Sequence, residues 1–134
     1  MNIPERISVR KAMREDVTFI DGRKNVLDAL RAMRDGECTS LIVEKRDDHD
    51  EYGILTLSDI AKKVIAKDRA PERVHVFEIM SKPLISVHPN MDIRYCARLF
   101  RKFGIRRAPV VEEHKVVGMI SYYHLVLEAL PELD

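Results

Sequence analysis

The chain has no tryptophan, only four tyrosines and four phenylalanines, and two cysteines in 134 residues. Its one adjacent aromatic pair, Tyr122-Tyr123, suits core or interface packing better than stacking on nucleic-acid bases. Neither charge sign dominates, because 23 Lys and Arg face 22 Asp and Glu. There is thus no global basic field to draw in nucleic acid or anionic lipid, and any anion site must be local. Long apolar runs are missing as well. The nearly apolar stretch around 116–120 falls far short of the roughly 20 residues that span a bilayer. The opening MNIPERISVRK carries charge where a secretory signal needs an apolar segment, so a cytoplasmic protein is expected. Cys38 and Cys96 form no CxxC pair and sit among apolar neighbours, the setting of inert core thiols.

Catalytic signatures are missing too. His49, His75, His88, His114 and His124 are scattered with no HxH or HxxxH pair, which argues against a zinc or iron site. There is no Gly-x-Ser-x-Gly elbow, Walker lysine loop or Rossmann glycine triplet. Neither catalytic nor metal-binding residues are expected, and the chain is read as a non-enzyme. The acidic run Asp47-Asp48-His49-Asp50-Glu51 lacks the oxygen-ligand spacing and turn glycine of a calcium loop, and reads as a solvated hairpin tip.

What the chain does contain is a repeat. Met80 stands 67 residues after Met13, and Val87 stands 67 after Ile20. Val26, Ala29 and Met33 recur as Ile93, Cys96 and Phe100 at the same offset, apolar every three to four residues, which predicts a helix with one buried face in each half. Asn25 and Asp92 stand where N-caps belong, and Gly36 and Gly104 where the helices should stop. Two β-rich runs follow each helix. They are Ser40-Leu41-Ile42-Val43 with Gly53-Ile54-Leu55, and Ala108-Pro109-Val110-Val111 with Gly118-Met119-Ile120. The first intervening turn, 44–51, is long and charged, and the second is short. Further helices are predicted over 57–67 and 122–130. Each half therefore reads β-α-β-β-α, an α/β (α+β) fold, with the halves at 1–70 and 71–134.

Both halves resemble the cystathionine-β-synthase (CBS) domain, whose members occur in tandem pairs called Bateman modules. The first half supplies Val-Arg-Lys-Ala-Met at 9–13 and Gly53-Ile54-Leu55-Thr56-Leu57-Ser58-Asp59, which is similar to the family's Gly-h-h-Thr/Ser-x-x-Asp, where h is apolar. The second supplies Ile79-Met80-Ser81, Leu84-Ile85-Ser86-Val87-His88-Pro89, Ile105-Arg106-Arg107-Ala108-Pro109-Val110-Val111 and Gly118-Met119-Ile120-Ser121. The resemblance spans about 7–130 and implies two repeats related by pseudo-two-fold symmetry.

Thr56 and Asp59 fall where a strand becomes a helix. An ionised Asp there can accept hydrogen bonds from both hydroxyls of a ribose, while the Thr hydroxyl and first-turn amides suit the attached phosphate. The same pair also makes an ordinary helix cap with no ligand present. The resemblance implies that the adenine slot comes from the partner repeat's opening segment, here Met80, Ser81, Ile85 and Ser86. In the second copy, Ser121 keeps the hydroxyl but His124 replaces the acid, and a neutral imidazole cannot clasp two hydroxyls. That mirror site, with Met13, Thr18, Ser121 and His124, is expected to be empty, weak or altered. Strand alternation sends Arg106 and Arg107 to opposite faces, so one can face the cleft while the other is solvated; Arg107 is the better phosphate candidate, with a surface salt bridge as the alternative.

The resemblance implies a free-standing regulatory module that needs no cofactor for chemistry. It would bind AMP, ADP or ATP between the repeats, pair as a homodimer and signal to an unidentified protein. The alternatives are a ligand-free interaction scaffold and an S-adenosylmethionine sensor; nucleic acid and membrane are not expected partners.

Overall fold

Asn25 and Asp92 start the two long helices as their side chains suggest. In the computed structural model, which describes residues 6–83 and 85–130, Asn25 and Asp28 form a reciprocal capping box at the head of α2 (Val26–Gly36). Asp92 accepts from the Arg94 amide at the head of α5 (Ile93–Phe103). Gly104 closes α5 in the left-handed region at φ 64, whereas in α2 that conformation falls on Glu37 at φ 50 and Gly36 is the last helical residue. The helical spacing buries the expected faces, Val26, Ala29 and Met33 in one and Ile93, Cys96 and Phe100 in the other.

Before α2 come α1 (Val9–Ala12) and β1 (Phe19–Ile20). After it come β2 (Ser40–Val43), β3 (Gly53–Thr56) and α3 (Leu57–Ile60), which runs directly into a π-helical turn over Ala61–Ile65. A 3-10 turn at Pro71–Arg73 and α4 (Val76–Ile79) lead into the second repeat. That repeat continues through α5, β4 (Arg107–Glu112), β5 (Lys115–Ser121) and α6 (Tyr122–Ala129). The fold is α+β, with small sheets in both repeats. β1 is parallel and β3 antiparallel to β2, in the order β1-β2-β3. β4 and β5 form an antiparallel hairpin whose two tip residues, Glu113 and His114, both take positive φ.

The second repeat pairs less at its opening than the stretch Leu84-Ile85-Ser86-Val87 suggests. Leu84 lies outside the described residues, and Val87 alone makes a parallel bridge, to Val110. Chemistry explains the loss. In the first repeat the Ile42 amide donates to Thr18 O and the Glu44 amide to Ile20 O. Val111 donates to Val87 O as the counterpart of the second bond, but the counterpart of Ile42 is Pro109, which has no N–H to give.

The chain packs as two compact units, Thr18–Pro83 and the remainder. These differ from the halves at residue 70, because each opening helix packs with the other repeat's sheet. Val76 and Ile79 of α4 join the core of Val26, Leu41, Leu55 and Val64. Val9 and Ala12 of α1 join that of Phe100, Val110, Ile120 and Leu125. Two strand glycines allow this close approach. A Cβ on Gly53 would stand 2.7 Å from the Met80 sulfur, and one on Gly118 would stand 2.8 Å from both the Met13 sulfur and the Arg14 carbonyl oxygen. Backbone bridges Ile54↔Ser81 and Arg14↔Met119 sit beside these contacts.

The acidic loop is only partly the solvated tip expected from its composition. Asp47, Asp48 and His49 are exposed, but the Asp50 side chain is only 8% exposed and is held by Arg46 and Lys82.

Candidate functional site

Thr56 ends β3 as the N-cap of α3, which fixes Asp59 one turn later. The Thr56 amide and hydroxyl both donate to Asp59 Oδ2, at 3.0 and 3.1 Å, and the Asp59 amide donates back to Thr56 Oγ1 at 3.1 Å. One carboxylate oxygen therefore serves the cap. The other, Oδ1, stands 3.5 Å from Lys63 Nζ, and Lys63 in turn donates to the Ile79 carbonyl at 2.9 Å. The Asp59 side chain is 18% exposed. A carboxylate offers about four lone-pair positions, so Oδ1 keeps the capacity to accept from vicinal hydroxyls.

The first-turn amides are less open to a phosphate than the strand-to-helix position suggests. The Leu57 amide donates to Thr39 O and the Asp59 amide to Thr56, while the Thr56 proton points at Asp59. Local positive charge comes instead from Lys63, which sequence reasoning did not single out. Its signal was the i,i+4 spacing from Asp59.

Met80 and Ser81 share a unit with Thr56 and Asp59. Strand alternation puts Gly53 and Leu55 on one face of β3 and Ile54 and Thr56 on the other. The Met80 side chain lies on the Gly53 face, against the core, so it does not share the Thr56 face. Ser81 bridges Ile54 and is exposed. Ile85 packs against the core of the other unit, to which the exposed Ser86 also belongs.

The second repeat rebuilds the cap with different chemistry. The His124 amide donates to Ser121 Oγ at 3.4 Å, and that oxygen lies 2.9 Å from His124 Nδ1. Burial holds His124 below the ordinary histidine range, and nearby Arg14 adds to this while Asp16 opposes it. The ring therefore favours its neutral form, and Nδ1 shares a hydrogen bond with the Ser121 hydroxyl whose direction is set by the tautomer. Arg107 is the cross-strand partner of Ser121, as Ser40 is of Thr56, so the Arg107 side chain shares the Ser121 face, while Arg106 precedes the strand and is exposed. Met13 mirrors Met80 on the core face, over Gly118. Thr18 belongs to the other unit, where its hydroxyl lies 3.7 Å from Cys38 Sγ.

The profile of the CBS domain matches residues 9–66 and again 76–130. The chain belongs to the CBS domain family. It carries two CBS repeats in tandem, the arrangement of a regulatory CBS pair. A hexameric CBS-CP12 protein from bloom-forming cyanobacteria is 37% identical with a TM-score of 0.88, over 95% of this chain and 70% of that one. A protein with CBS domains from Burkholderia ambifaria is 27% identical with a TM-score of 0.78, over 94% and 93%. The CBS domain-containing protein YhcV of Bacillus subtilis is 27% identical over 92% of this chain and 86% of its own length. An uncharacterised protein of Methanopyrus kandleri is 28% identical, but the chain spans only 59% of that relative's length. Among the described residues no helix is long and apolar enough to cross a membrane, and no group of three His, Cys, Asp or Glu side chains is placed to hold a metal ion.

Proposed function

We propose that this CBS pair is a non-catalytic regulatory module that binds an adenosine nucleotide, AMP, ADP or ATP, at Thr56 and Asp59. The carrying observation is the division of labour within Asp59: Oδ2 is spent on the cap, and Oδ1 remains beside Lys63 to receive the two ribose hydroxyls. Lys63 supplies positive charge for the phosphate. Ser81, from the second repeat, lies two residues along from Thr56 through its bridge to Ile54, so a ligand on this face touches both repeats. Such a ligand shifts a conformational equilibrium only by its differential affinity for the two states, and a protein partner reads that shift. The Ser121–His124 copy binds nucleotide weakly or not at all, because a neutral imidazole offers one acceptor where a carboxylate offers about four, and its Nδ1 is engaged with Ser121.

Melting the protein with AMP, ADP, ATP and S-adenosylmethionine tests this. Occupancy at 100 times Kd stabilises by about 2.7 kcal/mol. A rise with an adenine nucleotide supports the sensor, a rise with S-adenosylmethionine alone reassigns it, and no rise with any of the four removes it.

A ligand-free scaffold is the second reading, favoured by the completeness of the Thr56–Asp59 cap without ligand and by exposed apolar side chains. Tyr95 and Phe103 on α5 and Tyr123, Val126 and Leu127 on α6 are exposed in one unit, and Leu57 and Ile65 in the other. In either reading these faces support self-association as a homodimer. Light scattering on the eluting protein tests the dimer, and a monomer mass refutes it.

A further inference from the structure

On the opposite side of the β2-β3 sheet from Thr56, at the hairpin end of the Thr18–Pro83 unit, lies a groove of about 580 Å³. Its volume is that of small-molecule sites, which run to roughly 300–1,000 Å³. Val43 and Met80 line its apolar part, and Phe77, 52% exposed and stacked on His75, stands at its edge. Four basic and three acidic side chains complete the lining.

Two of the three acids are already committed. Asp21 binds Arg23 through Nε at 3.1 Å and a terminal nitrogen at 2.8 Å. Asp50 takes the Arg46 amide at 2.9 Å and Arg46 Nε at 3.3 Å on one oxygen, and Lys82 at 3.1 Å on the other. The Arg23 guanidinium holds the Asp21 carboxyl far below the ordinary range, and the Arg46 amide and then Lys82 do the same for Asp50, so both stay ionised at any physiological pH. The surplus lies with the donors. A guanidinium has five N–H groups, and among the described residues both terminal nitrogens of Arg46 and one of Arg23 have no acceptor. Excess donors around an apolar floor with an exposed ring call for several acceptor oxygens attached to a flat apolar body.

We infer that this groove is a second ligand site, separate from Thr56 and Asp59, for a small organic anion in which a phosphate or carboxylate is carried on a planar apolar group. The anionic head lies between Arg23, Arg46 and Lys82, and the planar body lies on Val43 and Met80 beside Phe77. An incoming anion competes with Asp50 for Arg46 and Lys82. Lys82 is followed by Pro83, the last residue of this unit, so the exchange occurs next to the connection between the units.

The competition makes the site testable by sign. Phenyl phosphate and benzoate are titrated into the ¹⁵N-labelled full chain, with inorganic phosphate as the head-group control and AMP as the control for the Thr56 face. Saturable shifts are expected at the Gly22, Val43, Arg46, Phe77 and Lys82 amides with phenyl phosphate or benzoate, and whichever binds tighter identifies the head group. Lys82→Gln should weaken that binding about tenfold, the size of a lost hydrogen bond to charge. Asp50→Asn, which keeps an acceptor for the Arg46 amide but removes the competing charge, should tighten it. The spectrum of each variant reports whether the fold is intact. The inference is overturned if neither aromatic anion shifts these amides, if inorganic phosphate binds as tightly, or if a folded Asp50→Asn binds more weakly. AMP shifts confined to Thr56 and Asp59 leave it untouched, and loss of AMP binding bears only on the other site.

Discussion

Replacing Gly118 by alanine puts a Cβ 2.8 Å from a backbone oxygen, that of Arg14, and 2.8 Å from the Met13 sulfur. The matching change at Gly53 puts one 2.7 Å from the Met80 sulfur and 3.2 Å from Val43 Cβ, with no backbone atom that close. A thioether swings aside at modest cost, whereas a backbone carbonyl cannot move without its hydrogen bonds. Arg14 is tied to Met119 by two, at 2.8 and 2.9 Å. Overpacking costs about 1–3 kcal/mol, each backbone bond lost adds about 1, and alanine returns about 0.4–1 by stiffening the unfolded chain. Gly118→Ala should therefore destabilise by about 3 kcal/mol and Gly53→Ala by about 1. Urea unfolding followed by circular dichroism measures both. In double-mutant cycles Gly53→Ala should cost little once Met80 is already alanine, while Gly118→Ala should keep most of its cost once Met13 is alanine. Equal losses at the two glycines, or a Gly118→Ala cost that vanishes once Met13 is alanine, would refute the close-approach reasoning.

Two further outcomes follow from side-chain environment. His124 titrates below its unfolded value, so the unfolded chain takes up its proton first, near pH 6.5, and stability should fall from about pH 7 toward pH 5. Urea midpoints across that range should drop in the wild type and drop less in His124→Gln, and an equal drop in both contradicts the assignment. Burial pushes the Cys96 thiol up to about 11, whereas Cys38 is only half-buried. A thiol reagent should modify native protein at Cys38 and leave Cys96 untouched until unfolding, so native reactivity that survives Cys38→Ser would be inconsistent with this packing.

The repeat, the α+β order of elements and both buried helix faces were legible because each rests on a local pattern. Caps and apolar periodicity require only neighbours in sequence, as Asn25 with Asp28 and Val26 with Ala29 and Met33 illustrate. Other features depend on partners far along the chain. The truncated opening strand follows from Pro109, a residue on the facing strand. Lys82 lies 32 residues from Asp50 and helps convert one member of an acidic run into a largely covered, paired carboxylate. Met80 was expected beside Thr56 because both belong to motifs of the same site. Which face of β3 it covers is set by Gly53, and that contact cannot be read from either motif alone.

The most direct test of the central claim is a calorimetric titration of AMP, ADP and ATP into wild-type protein and into Asp59→Asn. Asparagine keeps an oxygen for the Thr56 cap but loses the charge and acceptor capacity assigned to the ribose, so the variant should fold like the wild type. A saturable heat is expected with at least one nucleotide, with a loss of affinity of about tenfold or more in Asp59→Asn. Equal affinity in the two proteins, or no heat from any of the three nucleotides, would contradict that claim.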